Sequence, residues 1–133
     1  MEDFLKLIII TPDKEFYTGE IVEIVAENEY GHLGILPHHI DMATVLLPSI
    51  TTFTQKDGKK LKAFTSSGIM NVSNNEVKLL CDASEWPEDI DIKRAEEAKN
   101  RAEMRLNKKD GVDFERAEVA LMRALMRLKA RSI

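Results

Sequence analysis

At 133 residues, with 44% hydrophobic and 32% charged positions, the chain has the length of one compact domain, or of a small domain with an appendage, and it is too apolar for a disordered one. Its net charge of −4 argues against general nucleic-acid binding, and no apolar run approaches the ~20 residues that cross a bilayer. The start, Met-Glu-Asp-Phe, lacks the basic residues of a signal peptide, and the single cysteine, Cys81, can form no internal disulfide; the expectation is a soluble cytoplasmic protein in a reducing compartment.

In chain order, Phe4 to Thr11 is rich in leucine and isoleucine and stops at Thr11-Pro12-Asp13, a turn signal. Ile21 to Ala26 is a second strand. Tyr30 to His39 is punctuated by Gly31 and Gly34 and reads as a tight excursion into a short strand. Ala43–Leu47, Ile50–Gln55 and Leu61–Thr65 follow, with Asp57-Gly58 as a hairpin turn between the last two. Gly68–Val72, the Asn74-Asn75 turn and Val77–Asp82 complete the set. Short strands arriving every ~8–12 residues indicate an all-β sandwich or barrel.

The chain changes character between Ser84 and Ala95. Pro87 has no backbone N–H and biases Trp86 away from the helical region, so a strand or loop ends there. Asp89 and Asp91 are good helix starters. All seven arginines lie beyond this point. Ala95, Ala98, Ala102 and Leu106 recur on one helical face; Asn107-Lys108-Lys109-Asp110-Gly111 breaks the period, and Asp113 can cap a second helix carrying Phe114, Ala117, Leu121, Ala124 and Leu128 on one face. The fold expected is an all-β sandwich over residues 1–86 followed by an α-helical hairpin over 87–133. Small alanines let the two helices approach closely. So small a seam buries little surface, so the hairpin must lean on the sandwich, a partner or a ligand, and is a candidate switch. Opened out, its helices reach roughly 60 Å at 1.5 Å per residue.

Charge is split the same way. Residues 1–86 hold seven lysines against thirteen acids, whereas residues 87–133 hold twelve bases against ten acids. The last fifteen residues carry Arg123, Arg127, Lys129 and Arg131 and no acid. A basic tip on an acidic body suits an acidic partner; a solvated helix end favoured by the macrodipole is the plainer account.

No catalytic set emerges. Thr65-Ser66-Ser67-Gly68 lacks the nucleophile elbow and reads as turn chemistry. His32, His38 and His39 match no zinc spacing and read as loop polarity or a subunit contact. Cys81 reads as a small buried apolar residue. With no phosphate-binding Gly-x-x-x-x-Gly-Lys-[Ser/Thr] loop, a nucleotide bound here would not be hydrolysed. The arginines are more informative. Arg94 and Arg101 share a face of the first helix, Arg123 and Arg127 a face of the second, and an antiparallel hairpin brings Arg94 near Arg127. Planar guanidinium groups suit phosphate oxygens, and Glu85 and Asp91 are placed to moderate their field or to accept from an adenine amino group. Exposed i,i+4 pairs such as Glu97 with Arg101 would explain the same charges without a ligand.

Two stretches carry a family likeness. Gly31-His32-Leu33-Gly34-Ile35-Leu36-Pro37-His38-His39 resembles the Gly-x-Leu-Gly-Ile-x-Pro-x-His segment of the epsilon subunit of F-type ATP synthases, and Ile90-Asp91-Ile92-Lys93-Arg94-Ala95 resembles the motif by which bacterial epsilon subunits bind ATP. The likeness covers the whole chain. It implies a non-catalytic rotor subunit of the central stalk at the cytoplasmic face of the bacterial membrane, peripheral and not inserted. The sandwich would sit against the gamma subunit and the ring of c subunits, through Tyr30, Gly31, His32 and His39. The hairpin would either fold on the sandwich or extend along gamma into the alpha/beta catalytic head and obstruct ATP hydrolysis, with Arg123, Arg127 and Arg131 meeting the beta subunit. It implies no catalytic cofactor or metal; ATP as a regulatory ligand would hold the folded form through Glu85, Ile90, Asp91, Arg94, Ala95, Arg101, Arg123 and Arg127. The alternatives are a purely structural stalk adaptor without nucleotide sensing, and a free-standing module whose basic tip binds acidic proteins or RNA.

Overall fold

The computed structural model describes residues 3–108 and 113–132. Nine strands come first: β1 Leu5–Ile10, β2 Glu15–Asn28, β3 Gly31–Ile35, β4 Met42–Leu46, β5 Ser49–Gln55, β6 Lys60–Thr65, β7 Gly68–Ser73, β8 Glu76–Cys81 and β9 Ser84–Glu85. A 3₁₀ turn, Pro87–Asp89, leads into α1, Ile92–Leu106, and α2 spans Phe114–Ser132. The expected sandwich and helical hairpin are both present. Of the expected break at Asn107–Gly111, the last three residues lie outside the described ones.

Two layers are joined through β2. Its first half, Glu15–Ile21, pairs antiparallel with β1, and its second half pairs with β5 and β3, with a shift of register between Ile21 and Glu23. Bulges of this kind bend a strand enough for it to serve two sheets. One layer runs β4-β7-β8-β1-β2, and the other carries β2-β5-β6-β9 with β3 on the second half of β2. The reading of strand two as Ile21–Ala26 therefore missed its first six residues, Glu15–Glu20, whose polar and glycine content hides a strand that only pairing with β1 supports.

The core forms where the alternation of the strands points inward: Leu5, Leu7 and Ile9 of β1, Ile24 of β2, Phe53 of β5, Met70 and Val72 of β7, and Val77 and Leu79 of β8 are buried. Each such side chain contributes about 1.5–3 kcal/mol of burial. Turn residues act as their chemistry requires. Asn74 and Asn75 both take positive φ, 51° and 59°, in the two-residue connection of β7 to β8. Asn75 also donates to the Phe4 carbonyl at 2.9 Å and accepts from the His38 N–H at 2.7 Å, tying three segments together. Gly68 opens β7 where a Cβ would stand 2.1 Å from the Leu80 carbonyl oxygen. Only glycine lets those two strands meet.

The helices pack on each other through alanines: Ala95 and Ala102 of α1 and Ala117 and Ala124 of α2 are buried. Asp91 caps α1, accepting from the Arg94 N–H at 3.1 Å, and Asp113 accepts from the Arg116 N–H at 3.2 Å ahead of α2. Phe114, expected on the seam, is 46% exposed; it starts the helix, beyond the reach of its alanine neighbours. The residue the period did not bring out is Ala130. With Phe64 and Ile90 it forms a separate buried cluster, flanked by Ile50 and Met126. Phe64 and Ile50 are cross-strand partners on the outer face of β5 and β6, so the hairpin lies folded on the outside of the sandwich.

Candidate functional site

The folded hairpin and the sandwich enclose a cleft of about 590 Å³, within the size range of small-molecule sites. One wall comes from the β1–β2 turn and the segment after β8: Thr11, Asp13, Lys14, Asp82, Ala83, Ser84 and Glu85. The other comes from the helical part: Asp89, Asp91, Arg94, Ala95, Ala98, Arg101 and Arg127.

Each residue arrives by a local cause. β9 pairs with the end of β6, Glu85 opposite Phe64, which puts the Glu85 carboxylate beside the docked end of α2. Trp86 then stacks on Phe16 with centroids 4.5 Å apart and meets Tyr17 edge-on at 6.3 Å, pinning the crossover to the sandwich. Pro87 opens the 3₁₀ turn, and the Asp91 cap sets the first turn of α1, which carries Arg94. Helix starts present unpaired N–H groups and the positive end of the macrodipole to an anion. Ala95 and Ala98 bear only methyl groups, so the space between Arg94 and Arg101 stays open.

Across the cleft, Arg127 Nε donates to Glu85 Oε1 at 2.5 Å. The guanidinium carbon of Arg127 also lies 4.6 Å from the centroid of the Phe64 ring, a cation–π geometry. Among the described residues this is the one ion pair between hairpin and sandwich. The other charged pair of the helices is Lys99 with Glu103 at 3.6 Å; the pair of Glu97 with Arg101, raised as the ligand-free account of these charges, is not formed among the described residues, and Arg101 lines the cleft instead.

Six of the eight residues expected around a nucleotide therefore line one cleft: Glu85, Asp91, Arg94, Ala95, Arg101 and Arg127. Ile90 is not on its wall but buried in the docking cluster, and Arg123, partly exposed on α2, is not on its wall either. Sequence reasoning did not assign Thr11, Asp13, Lys14, Asp82, Ala83, Ser84, Asp89 and Ala98 to the site. Thr11 and Asp13 read only as a turn, Lys14 had no assignment, and no pattern in the chain indicates that this turn faces helices some eighty residues later.

The second expected site has a different form. Tyr30, 89% exposed, occupies the β2–β3 turn, and its N–H donates to Asn28 Oδ1 at 2.9 Å. Gly31, with φ 119°, and His32 begin β3, while His39 follows the far end of that strand, so the strand separates the two parts. Elsewhere, Val45, Ile69 and Leu80 stand in cross-strand register on β4, β7 and β8 and are 68%, 49% and 48% exposed. Cys81 is buried, and burial pushes its thiol up to about 11; the Asp82 charge adds to the effect and the Ser84 hydroxyl offsets part of it. Such a thiol is no nucleophile at neutral pH. No described helix is long and apolar enough to cross a membrane.

Two family models match consecutive parts of the chain: "ATP synthase, Delta/Epsilon chain, beta-sandwich domain" over residues 4–87, and "ATP synthase, Delta/Epsilon chain, long alpha-helix domain" over residues 88–131. The chain is 54% identical over 112 residues to the ATP synthase epsilon chain of Clostridium kluyveri, 84% of this chain and 85% of that one. It is 51% identical over 106 residues to the ATP synthase epsilon chain of Clostridium acetobutylicum, 80% of each. Among solved structures, it resembles a chain of the mitochondrial ATP synthase of Euglena gracilis, solved as OSCP/F1/c-ring, with a TM-score of 0.84 at 21% identity over 100% of this chain and 84% of that one. It also resembles a chain of the central stalk/c-ring of the Tetrahymena thermophila mitochondrial ATP synthase, with a TM-score of 0.69 at 16% identity over 96% of both. At these identities the structural likeness concerns the fold.

Proposed function

The chain belongs to the ATP synthase delta/epsilon family as an epsilon chain, a non-catalytic subunit, and from that membership we propose that its helical hairpin is a switch held in the folded position by ATP. The observation that carries this reading is the composition of the cleft. Its walls come from two bodies, with Arg94, Arg101 and Arg127 on the helical side and Glu85 on the sandwich side. A ligand there touches both bodies only while the hairpin is folded, and a ligand shifts an equilibrium only by its differential affinity for the two forms.

The magnitudes agree with a switch. The docking cluster holds three buried residues, Phe64, Ile90 and Ala130, worth a few kcal/mol at most at ~1.5–3 kcal/mol for a large apolar side chain. Two or three charged hydrogen bonds to phosphate, at about 1.5–3 kcal/mol each, are of the same order. Arg127 has a further part: when the hairpin lifts it leaves Glu85 and, with Arg123 and Arg131, becomes free for an acidic segment of the beta subunit. In this reading the extended hairpin obstructs ATP hydrolysis.

The same reading assigns the remaining surfaces. Tyr30, Gly31, His32 and His39 contact the c-ring and gamma. The apolar row of Val45, Ile69 and Leu80, uncovered in the isolated chain, is a face for a partner in the stalk such as gamma, in keeping with the central-stalk and c-ring setting of its structural relatives. The protein then works peripherally at the cytoplasmic face of the bacterial membrane, with a sandwich domain over residues 1–86 and a hairpin domain over 87–133.

The test is calorimetric titration of the purified full chain with ATP, followed in parallel by the fluorescence of Trp86. Binding is expected, tighter for ATP than for ADP, with Arg94→Ala weakening it by an order of magnitude or more. No heat and no spectral change at millimolar ATP would remove nucleotide sensing. The competing reading is a fixed stalk adaptor, and removal of residues 87–133 in the assembled enzyme separates the two. A switch gives faster ATP hydrolysis with assembly kept, a clamp gives loss of assembly.

A further inference from the structure

We propose that Lys14 is a residue of the sandwich that binds the outer phosphates of a nucleotide, the cation that ties a bound nucleotide to the stationary body rather than to the hairpin alone. This rests on the reading of the cleft as a nucleotide site and adds to it a cation on the stationary wall, which strengthens the bias toward the folded form.

Among the described lining residues the cations of the cleft are Arg94, Arg101, Arg127 and Lys14, and only Lys14 belongs to the sandwich. The other charges on that wall are the carboxylates of Asp13, Asp82 and Glu85. A triphosphate held by the three arginines would meet, on the sandwich side, carboxylates that repel it and one ammonium that attracts it. Contacts from Arg94 and Arg101, which share α1, stay with that helix when the hairpin lifts and bias its resting place less than a contact to the sandwich does. A favourable contact to the stationary wall exists only in the folded form, and Lys14 is the residue positioned to make one with phosphate.

The turn that carries Lys14 is well held. The Thr11 N–H donates to the Lys14 carbonyl at 2.9 Å, the Lys14 N–H donates to the Thr11 carbonyl at 3.3 Å, and the Thr11 hydroxyl donates to the same Lys14 carbonyl at 3.2 Å. The stem starts from a fixed point, while the ammonium is exposed and takes part in none of the three ion pairs of the described residues. That ammonium sits 5.9 Å from the centroid of the Phe16 ring, and Phe16 stacks on Trp86. A phosphate that draws Lys14 into the cleft therefore changes the surroundings of the tryptophan that begins the crossover.

The experiment titrates ATP and AMP into the full chain of the wild type, Lys14→Ala, Lys14→Arg and Arg94→Ala, read by calorimetry and Trp86 fluorescence. Lys14→Ala is expected to weaken ATP by about threefold or more while leaving AMP within about twofold, and Lys14→Arg to keep affinity near wild type. If the wild type binds ATP and Arg94→Ala loses it, but Lys14→Ala loses less than about threefold, Lys14 is no phosphate contact and the nucleotide reading stands without it. An equal loss for ATP and AMP also overturns the proposal, because a contact to the outer phosphates cannot act on the monophosphate. If the wild type itself fails to bind ATP, the reading of the cleft falls, and this inference with it.

Discussion

Arg127 and Glu85, forty-two residues apart in the chain, share a hydrogen-bonded ion pair that spans the boundary between hairpin and sandwich. Their side chains are 27% and 30% exposed, so the pair is screened less than a surface pair but is not dry. A double-mutant cycle of Glu85→Gln and Arg127→Ala, followed by chemical denaturation, is expected to show a coupling of about 1 kcal/mol. Additive effects would mean that the pair does not hold the hairpin.

Phe64 is fully buried, yet it faces outward from β6 and is covered by the hairpin. Phe64→Ala removes the largest group of the docking cluster, at a cost of up to about 3 kcal/mol. The hairpin can lift rather than leave a cavity, so the loss should appear as opening and not as unfolding. Amide exchange in α1 and α2 is expected to accelerate by as much as roughly a hundredfold while Leu7 and Ile9 keep their protection. Equal acceleration in the core strands would show that the two parts do not separate.

Gly68→Ala forces a methyl group to within 2.1 Å of the backbone oxygen of Leu80. No flexible side chain can yield there. The expected loss is about 3 kcal/mol or more of unfolding free energy, read by chemical denaturation; a loss under about 1 kcal/mol would mean that β7 and β8 are less tightly joined than described.

Cys81 supplies a dependence on pH. Its folded thiol is raised from the ordinary 9.0 to about 11. Between those values the unfolded chain has released the proton and the folded chain keeps it, so stability contributed below pH 9 is lost as pH rises toward 11. The term amounts to about 2–3 kcal/mol by linkage. Cys81→Ala should flatten the alkaline limb of stability against pH relative to the wild type, and the native thiol should resist alkylation at pH 8. Rapid native alkylation would contradict this burial.

Much of this fold could be read along the chain. The alternation of β5, the Asn74-Asn75 turn, the Asp91 and Asp113 caps and the alanine seam all depend on near neighbours, and all are present. What escaped was the first half of β2, where Glu15–Glu20 carries no alternating apolar pattern and is held as strand by β1. Ala130 escaped too, because an alanine near the end of a helix looks the same whether it meets solvent or Phe64. Of the cleft, helical spacing brought out Arg94, Arg101 and Arg127, along with Arg123, which is off the wall; Ala95 came from the family resemblance, and of the sandwich wall only Glu85 was expected.

The sequence by itself determined where the helices and most of the strands form, since backbone preference, capping and periodicity act over a few residues. It also determined that Arg94 and Arg101 share a face of α1 and Arg123 and Arg127 a face of α2, a matter of 3.6 residues per turn. Only the tertiary structure decided that β1 runs parallel to β8, placing Leu7 beside Val77, and that the Thr11–Lys14 turn faces Arg94, Arg101 and Arg127 across one cleft. Such meetings depend on how layers close around the core, and packing energy summed over many distant contacts leaves no mark at any single position of the chain.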